Sequence, residues 1–247
     1  MNYYWTYYAL TFFAAYAVRN PWVCGVVLAF YALRPWLPDP VVILRNLGRI
    51  GALKRQVALN SANVTARRDL GRAYLEFRRP RVALRYLDEA RARDPRDAEI
   101  AYLRGLALLG VRNDQEALHA FGTAVGIDPE KGEPLSSVRG EGSRFNRFGE
   151  AYLAAATALE RLDRYAQAEE ALAMAVTHNS SLLEPLVRLA RVRRLQGNQE
   201  GAREAVQTAR RTFGELPGFM RRRQIGWAIR AYLAWQPRSR PSVGRVS

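Results

Sequence analysis

LGRAYLEFRRPRVALRYLDEARARDP (70–95) returns 34 residues later as RGLALLGVRNDQEALHAFGTAVGIDP (104–129). Gly71 answers to Gly105, Ala83 to Ala117, Leu87 to Phe121, Ala90 to Ala124 and Pro95 to Pro129. A fixed period of this length marks an array of small units, none of which can bury its apolar face alone.

Further along, Ala117 to Ala168, Phe121 to Leu172 and Ala124 to Ala175 each span 51 residues, one period plus 17. Ala168 to Ala202, Leu172 to Val206 and Ala175 to Ala209 return to 34. Four units are therefore expected, at 64–97, 98–131, 149–182 and 183–216. Each holds two helix-period apolar patterns joined by a turn such as RRP (78–80) or VRND (111–114). Small residues recur where paired helices must come close, and bulkier ones recur one turn later to fill the space between units. Asp-Pro ends the second helix of the first two units, because proline cannot continue it.

The pattern resembles the tetratricopeptide repeat (TPR) family. The first unit carries the family's marks at Leu70, Gly71, Tyr74, Ala83, Leu87, Ala90 and Pro95. The second carries them at Gly105, Ala117, Phe121, Ala124 and Pro129, with Arg104 where leucine is usual. The third and fourth have Ser180 and Gly214 in place of the proline. The resemblance implies an all-α, right-handed solenoid of about four helix-turn-helix repeats, and a concave face on which partner peptides often lie. It does not imply a function more specific than a scaffold.

In the repeat frame the concave positions are Arg68 and Arg72 in the first unit and Val187, Arg191 and Arg194 in the fourth. The middle units offer Tyr102, Leu106, Leu153 and Thr157. Arg68, Arg72, Tyr102, Leu106, Arg191 and Arg194 are the candidate partner-binding residues. They outline a groove with arginines at both ends and an apolar floor, suited to an acidic segment or a C-terminal carboxylate. The competing reading has the same arginines paired with neighbouring acids such as Asp69 and Glu184. The family's carboxylate clamp also uses asparagine, and none stands at the corresponding positions here.

Domain organisation follows from the repeats outward. The first two units take 63–131, an inserted loop 132–148, the other two units 149–216, a capping helix 217–236 and a basic tail 237–247 expected to be disordered. The insertion is longer and richer in glycine than a repeat connector needs, and Phe145 and Phe148 are placed to dock it back onto the solenoid. The capping helix is expected to seat Ile225, Ile229, Tyr232 and Leu233 on the end of the stack. Its arginines, with Trp227 and Trp235, also suit a lipid surface.

Before the repeats the chain changes character. Asn2 to Val18 has no charged side chain, and Pro21 to Leu37 is interrupted only by Arg34. Asn20 and Pro21 are placed to cap and open a second helix, so residues 1–38 read as a hydrophobic membrane hairpin. Trp5, Phe12, Phe13, Trp22, Phe30 and Trp36 are its candidate anchors. A shallow re-entrant hairpin, a signal peptide and a buried soluble hairpin are the alternatives. Residues 39–62 follow as a basic amphipathic helix, with Arg45, Arg49, Lys54 and Arg55 against a single Arg19 in the hairpin turn. That asymmetry places both termini and the repeats on the cytoplasmic side of a bacterial inner membrane, against anionic headgroups.

Composition bounds the chemistry. The net charge is +15, and of 38 basic residues only Lys54 and Lys131 are lysine. G+C-rich coding and anion recognition both produce such a bias. One cysteine, Cys24, rules out an internal disulfide, and His119 and His178 stand 59 positions apart without cysteine partners, so no metal site is expected. No phosphate loop, nucleophile elbow or cysteine–histidine pair is present, and neither catalysis nor a cofactor is expected. The reading is a membrane-anchored scaffold that holds a protein partner as adaptor, assembly factor or complex subunit. An arginine-driven RNA-binding protein and an enzyme's accessory subunit are the alternatives. Nucleic acid is disfavoured because the arginines are scattered and no aromatic recognition motif accompanies them.

Overall fold

The computed structural model describes residues 8, 11, 19, 20, 22, 25, 40–125 and 145–235, with the backbone alone over 40–47, 234 and 235. Among the described residues the chain is all helical, with ten helices and no strand. They are α1 (Pro40–Leu59), α2 (Val64–Glu76), α3 (Pro80–Arg91), α4 (Ala98–Gly110), α5 (Asp114–Val125), α6 (Phe148–Arg161), α7 (Tyr165–His178), α8 (Leu183–Leu195), α9 (Gln199–Glu215) and α10 (Gly218–Trp235).

The chain divides into two compact units, 1–52 and 53–247. In the first, Tyr8, Thr11, Arg19, Trp22 and Gly25 are helical, and Thr11 Oγ1 donates to the Tyr8 carbonyl at 3.1 Å. Most of the hairpin expected over 1–38 lies outside the described residues, including Trp5, Phe12, Phe13, Phe30 and Trp36. Trp22 is described, and its side chain is exposed. Among the described residues no helix is long and apolar enough to cross a membrane.

In the second unit the helices pack as successive hairpins: α2 with α3, α4 with α5, α6 with α7, and α8 with α9. Each second helix also packs on the first helix of the next pair, which makes the stack continuous. Local sequence sets the breaks. Asn63, Asp97 and Asn198 cap α2, α4 and α9 by accepting backbone N–H groups that would otherwise lack partners. Pro80 opens α3, where its missing N–H costs nothing.

Packing explains why small and large residues alternate at the repeat interval. A Cβ added to Gly71 would lie 2.5 Å from Leu87 Cγ, and one added to Gly105 would lie 2.5 Å from Phe121 Cε1. The third and fourth units solve the same problem with Ala156 beside Leu172 and Ala190 beside Val206, all buried in one cluster. Ala83, Ala117, Ala168 and Ala202 are buried too, as are Ala90, Ala124, Ala175 and Ala209. The turn within each pair repeats as well. Arg78, Arg112, Asp163 and Gly197 all have positive φ, at intervals of 34, 51 and 34 residues. Gly197, with no Cβ, adopts that left-handed conformation freely and Asp163 tolerates it, whereas Arg78 and Arg112 do not suit it.

α10 closes the stack against α8 and α9, and here the sequence expectation is corrected. Ile225, Ile229, Tyr232 and Leu233 do not face the stack; all four are exposed. The inward side carries Ala231, with Trp227 and Ala228 half-buried against the cluster of Leu183, Leu186 and Ala209. A polar residue fixes this register. The buried Gln224 accepts from the Leu183 amide at 2.7 Å and donates to the Ser181 carbonyl at 2.8 Å, so it caps α8 from α10.

Candidate partner-binding face

The first helices of the four units, α2, α4, α6 and α8, contribute one continuous face to the stack, and charged side chains bridge it from unit to unit. Asp97 sits at the start of α4 with one carboxylate oxygen accepting from the Glu99 and Ile100 amides. Its other oxygen takes Arg68 of α2 at 3.4 Å. One turn further along α2, Arg72 bonds Glu99. Glu99 is also 3.6 Å from Arg147, whose Nε lies 3.7 Å from Glu150 of α6. Tyr102 of α4 donates to Glu150 at 3.0 Å. On the far side Arg188 of α8 pairs with Glu160 at 2.9 Å and Glu184 at 3.4 Å, and donates to the Leu153 carbonyl.

Within this ladder lies an aromatic floor. The Tyr102 ring is tilted against Phe121 and Phe145, at centroid distances of 6.2 and 5.6 Å. The Arg147 guanidinium stands 5.7 Å above the Tyr102 ring. Phe145, the last part of the insertion before α6, is buried and meets Phe148 edge-on at 5.2 Å. Phe148 and Tyr152 in turn stack on His178. Burial, helped by the Glu150 carboxylate, pushes the Tyr102 hydroxyl well above the ordinary tyrosine range, so it stays a hydrogen-bond donor at neutral pH.

The six candidate residues do not share one role. Arg68 and Arg72 are ion-paired, and the Nε of each is shielded and makes no hydrogen bond. Their charge is already balanced by Asp97 and Glu99. Tyr102 is buried at the centre of the face, and Leu106, one turn along α4, is half-buried. Leu153, Thr157 and Val187 are half-buried beside them, whereas Arg191 and Arg194 on α8 are exposed. Arg191 has no ion-pair partner among the described residues.

Six participants escaped the sequence reading: Asp97, Glu99, Arg147, Glu150, Glu160 and Arg188. A signal for Glu99 and Glu150 was present. Glu99, Glu150 and Glu184 stand 51 and 34 residues apart, the same intervals that relate the buried alanines. Arg104, in place of the usual leucine, is explained by its carboxylate partners, Asp88 at 2.7 Å and Glu116 at 3.4 Å. The described residues hold no cluster of three potential metal ligands.

A family model for the tetratricopeptide repeat matches residues 68–131. The fold is a tetratricopeptide-repeat solenoid. It is similar to the crystal structure of MamA, at 17% identity and a TM-score of 0.59, with 72% of this chain and 97% of that one covered. It is also similar to YrrB, described as a TPR protein with an unusual peptide-binding site, at 13% identity and a TM-score of 0.54. That alignment covers 75% of this chain and 86% of the other. A third similar fold occurs in the Cut9–Hcn1 hetero-tetramer structure, at 14% identity and a TM-score of 0.53, covering 70% of this chain and 30% of that one. Identities this low establish the shared TPR fold and nothing finer. No curated protein matches the sequence.

Proposed function

We propose that this TPR solenoid is a scaffold that holds an extended segment of a protein partner along its inner face, close to a bacterial membrane. The observation that carries the reading is the half-buried Leu106, backed by the buried Tyr102 and Phe145 and framed by ion pairs that run from one unit to the next. Those pairs fix the spacing of neighbouring helices, so the floor is organised before a partner arrives, which lowers the ordering cost of binding. YrrB, a similar fold described as having an unusual peptide-binding site, supports peptide binding as a use of such a solenoid.

Charge refines the expected partner. Arg68 and Arg72 are balanced by Asp97 and Glu99, so an acidic segment gains less at that end than an unpaired arginine would give it. Arg191 at the other end is exposed, and we place the partner's carboxylate there, with apolar side chains over Leu106 and the half-buried Leu153. The apolar start, residues 1–38, serves as the membrane tether, and the basic run after it holds the repeats on the cytoplasmic side.

Affinity capture of the full chain from gently solubilised membranes tests this. Leu106→Glu puts a charge on the floor without entering the core, and should lose a stoichiometric protein partner that the unaltered chain retains. Equal recovery of the partner by both chains would place binding on another surface. Carbonate extraction tests the tether, since a chain released to the supernatant has no membrane-embedded segment.

A further inference from the structure

α10 closes the solenoid with one face and leaves the other bare. Ile225, Ile229, Tyr232 and Leu233 are spaced as one helical stripe, and they are 56%, 54%, 58% and 61% exposed. Single exposed apolar residues need no explanation, but four large ones aligned on one helix mark an interaction surface. Each is more than half exposed, so they project outward as a ridge and do not line a groove.

The charge around the ridge is of one sign. Arg221, Arg222, Arg223 and Arg230 are exposed on the same helix. From Leu216 to the end of the sequence there are seven arginines and no aspartate or glutamate. Arg230 lies over the Trp227 ring at 4.4 Å, and Arg221 Nε donates to the Leu216 carbonyl at 2.7 Å. Neither contact neutralises a guanidinium.

We propose that α10 is an interfacial helix that lays its Ile225–Ile229–Tyr232–Leu233 ridge into an anionic lipid surface, with the flanking arginines at the headgroups. A projecting apolar ridge between cationic side chains matches the boundary between acyl chains and phosphates, where long arginine stems reach up to the anions. A second copy of the same face is a poor occupant, because it brings arginines against arginines with no acid in the segment to offset them. This inference does not rest on the inner face or on the apolar start.

A position-specific probe on the full chain tests it. Cys24→Ser removes the only thiol, and Tyr232→Cys carries an environment-sensitive fluorophore on the ridge; Glu200→Cys, exposed on α9, carries it in a control chain. With vesicles of phosphatidylcholine and phosphatidylglycerol, emission from position 232 should shift to the blue while position 200 stays unchanged. The shift should be absent on phosphatidylcholine alone, weaken at high salt and disappear with Ile225→Gln/Ile229→Gln. Unchanged emission on anionic vesicles overturns the proposal. So does a shift that grows with protein concentration without lipid, which would assign the ridge to a second copy, or one that needs an added acidic protein.

Discussion

The inner face and the closing helix use the same residue in opposite ways. On the inner face, Arg68 and Arg72 of α2, Arg147 just before α6 and Arg188 of α8 each reach a carboxylate on another helix or one turn away. On α10, Arg221, Arg222, Arg223 and Arg230 stand in a segment with no acid at all. Both regions also carry large apolar side chains, enclosed by aromatic neighbours around Tyr102 and bare along Ile225 and Ile229. Arginine count therefore says little about what a surface binds. Whether an acid recurs at the matching repeat position says much more.

That contrast can be broken by substitution, and the effects should fall in a definite order. Gly105→Ala pushes a methyl into the Phe121 ring and should cost about 1–3 kcal/mol in a denaturant titration. A cost near zero would mean that adjoining helices are not held close. Arg188→Ala strands Glu160, whose side chain is only 16% exposed, and should cost about 1.5 kcal/mol. If it is neutral, the ladder between units contributes no rigidity. Arg112→Gly relieves a left-handed backbone at φ 68° and should raise stability by about 0.5 kcal/mol, visible as a higher melting temperature. Ile225→Gln/Ile229→Gln should change stability by less than about 0.5 kcal/mol, because neither side chain is enclosed. A larger loss there would show that the ridge is covered by the protein itself.

The repeat was legible because close approach of two helices imposes residue size, and size is written directly in the text. Gly71 beside Leu87, Gly105 beside Phe121 and Ala156 beside Leu172 all follow from that one constraint. The register of α10 was not legible for a physical reason. The helix carries apolar residues on two opposite arcs, and the larger ones at 225, 229, 232 and 233 suggested the wrong side. What selects the inward arc is Gln224, which supplies a cap to α8 from 41 residues away along the chain. Pattern reading assigns a glutamine to solvent and cannot foresee a distant amide in need of a partner.

At the inner face the sequence supplied Tyr102 and Leu106 from the repeat frame, but left open whether Arg68 and Arg72 were free. Only the arrangement of helices reveals that Asp97 and Glu99, far from those arginines in sequence, stand opposite them. That Phe145 and Phe148 are placed to dock the insertion back onto the solenoid was legible from aromatic placement, since an apolar ring at the end of a polar loop needs a surface to cover it; that Phe145 meets Tyr102 was not.

The most direct measurement is photo-crosslinking in native membranes from two positions of the full chain, with a benzophenone amino acid replacing Leu106 in one variant and Ile229 in the other. The account predicts a discrete protein adduct from position 106 and a lipid adduct from position 229. No protein adduct at 106, or the same protein adduct from both positions, would contradict it.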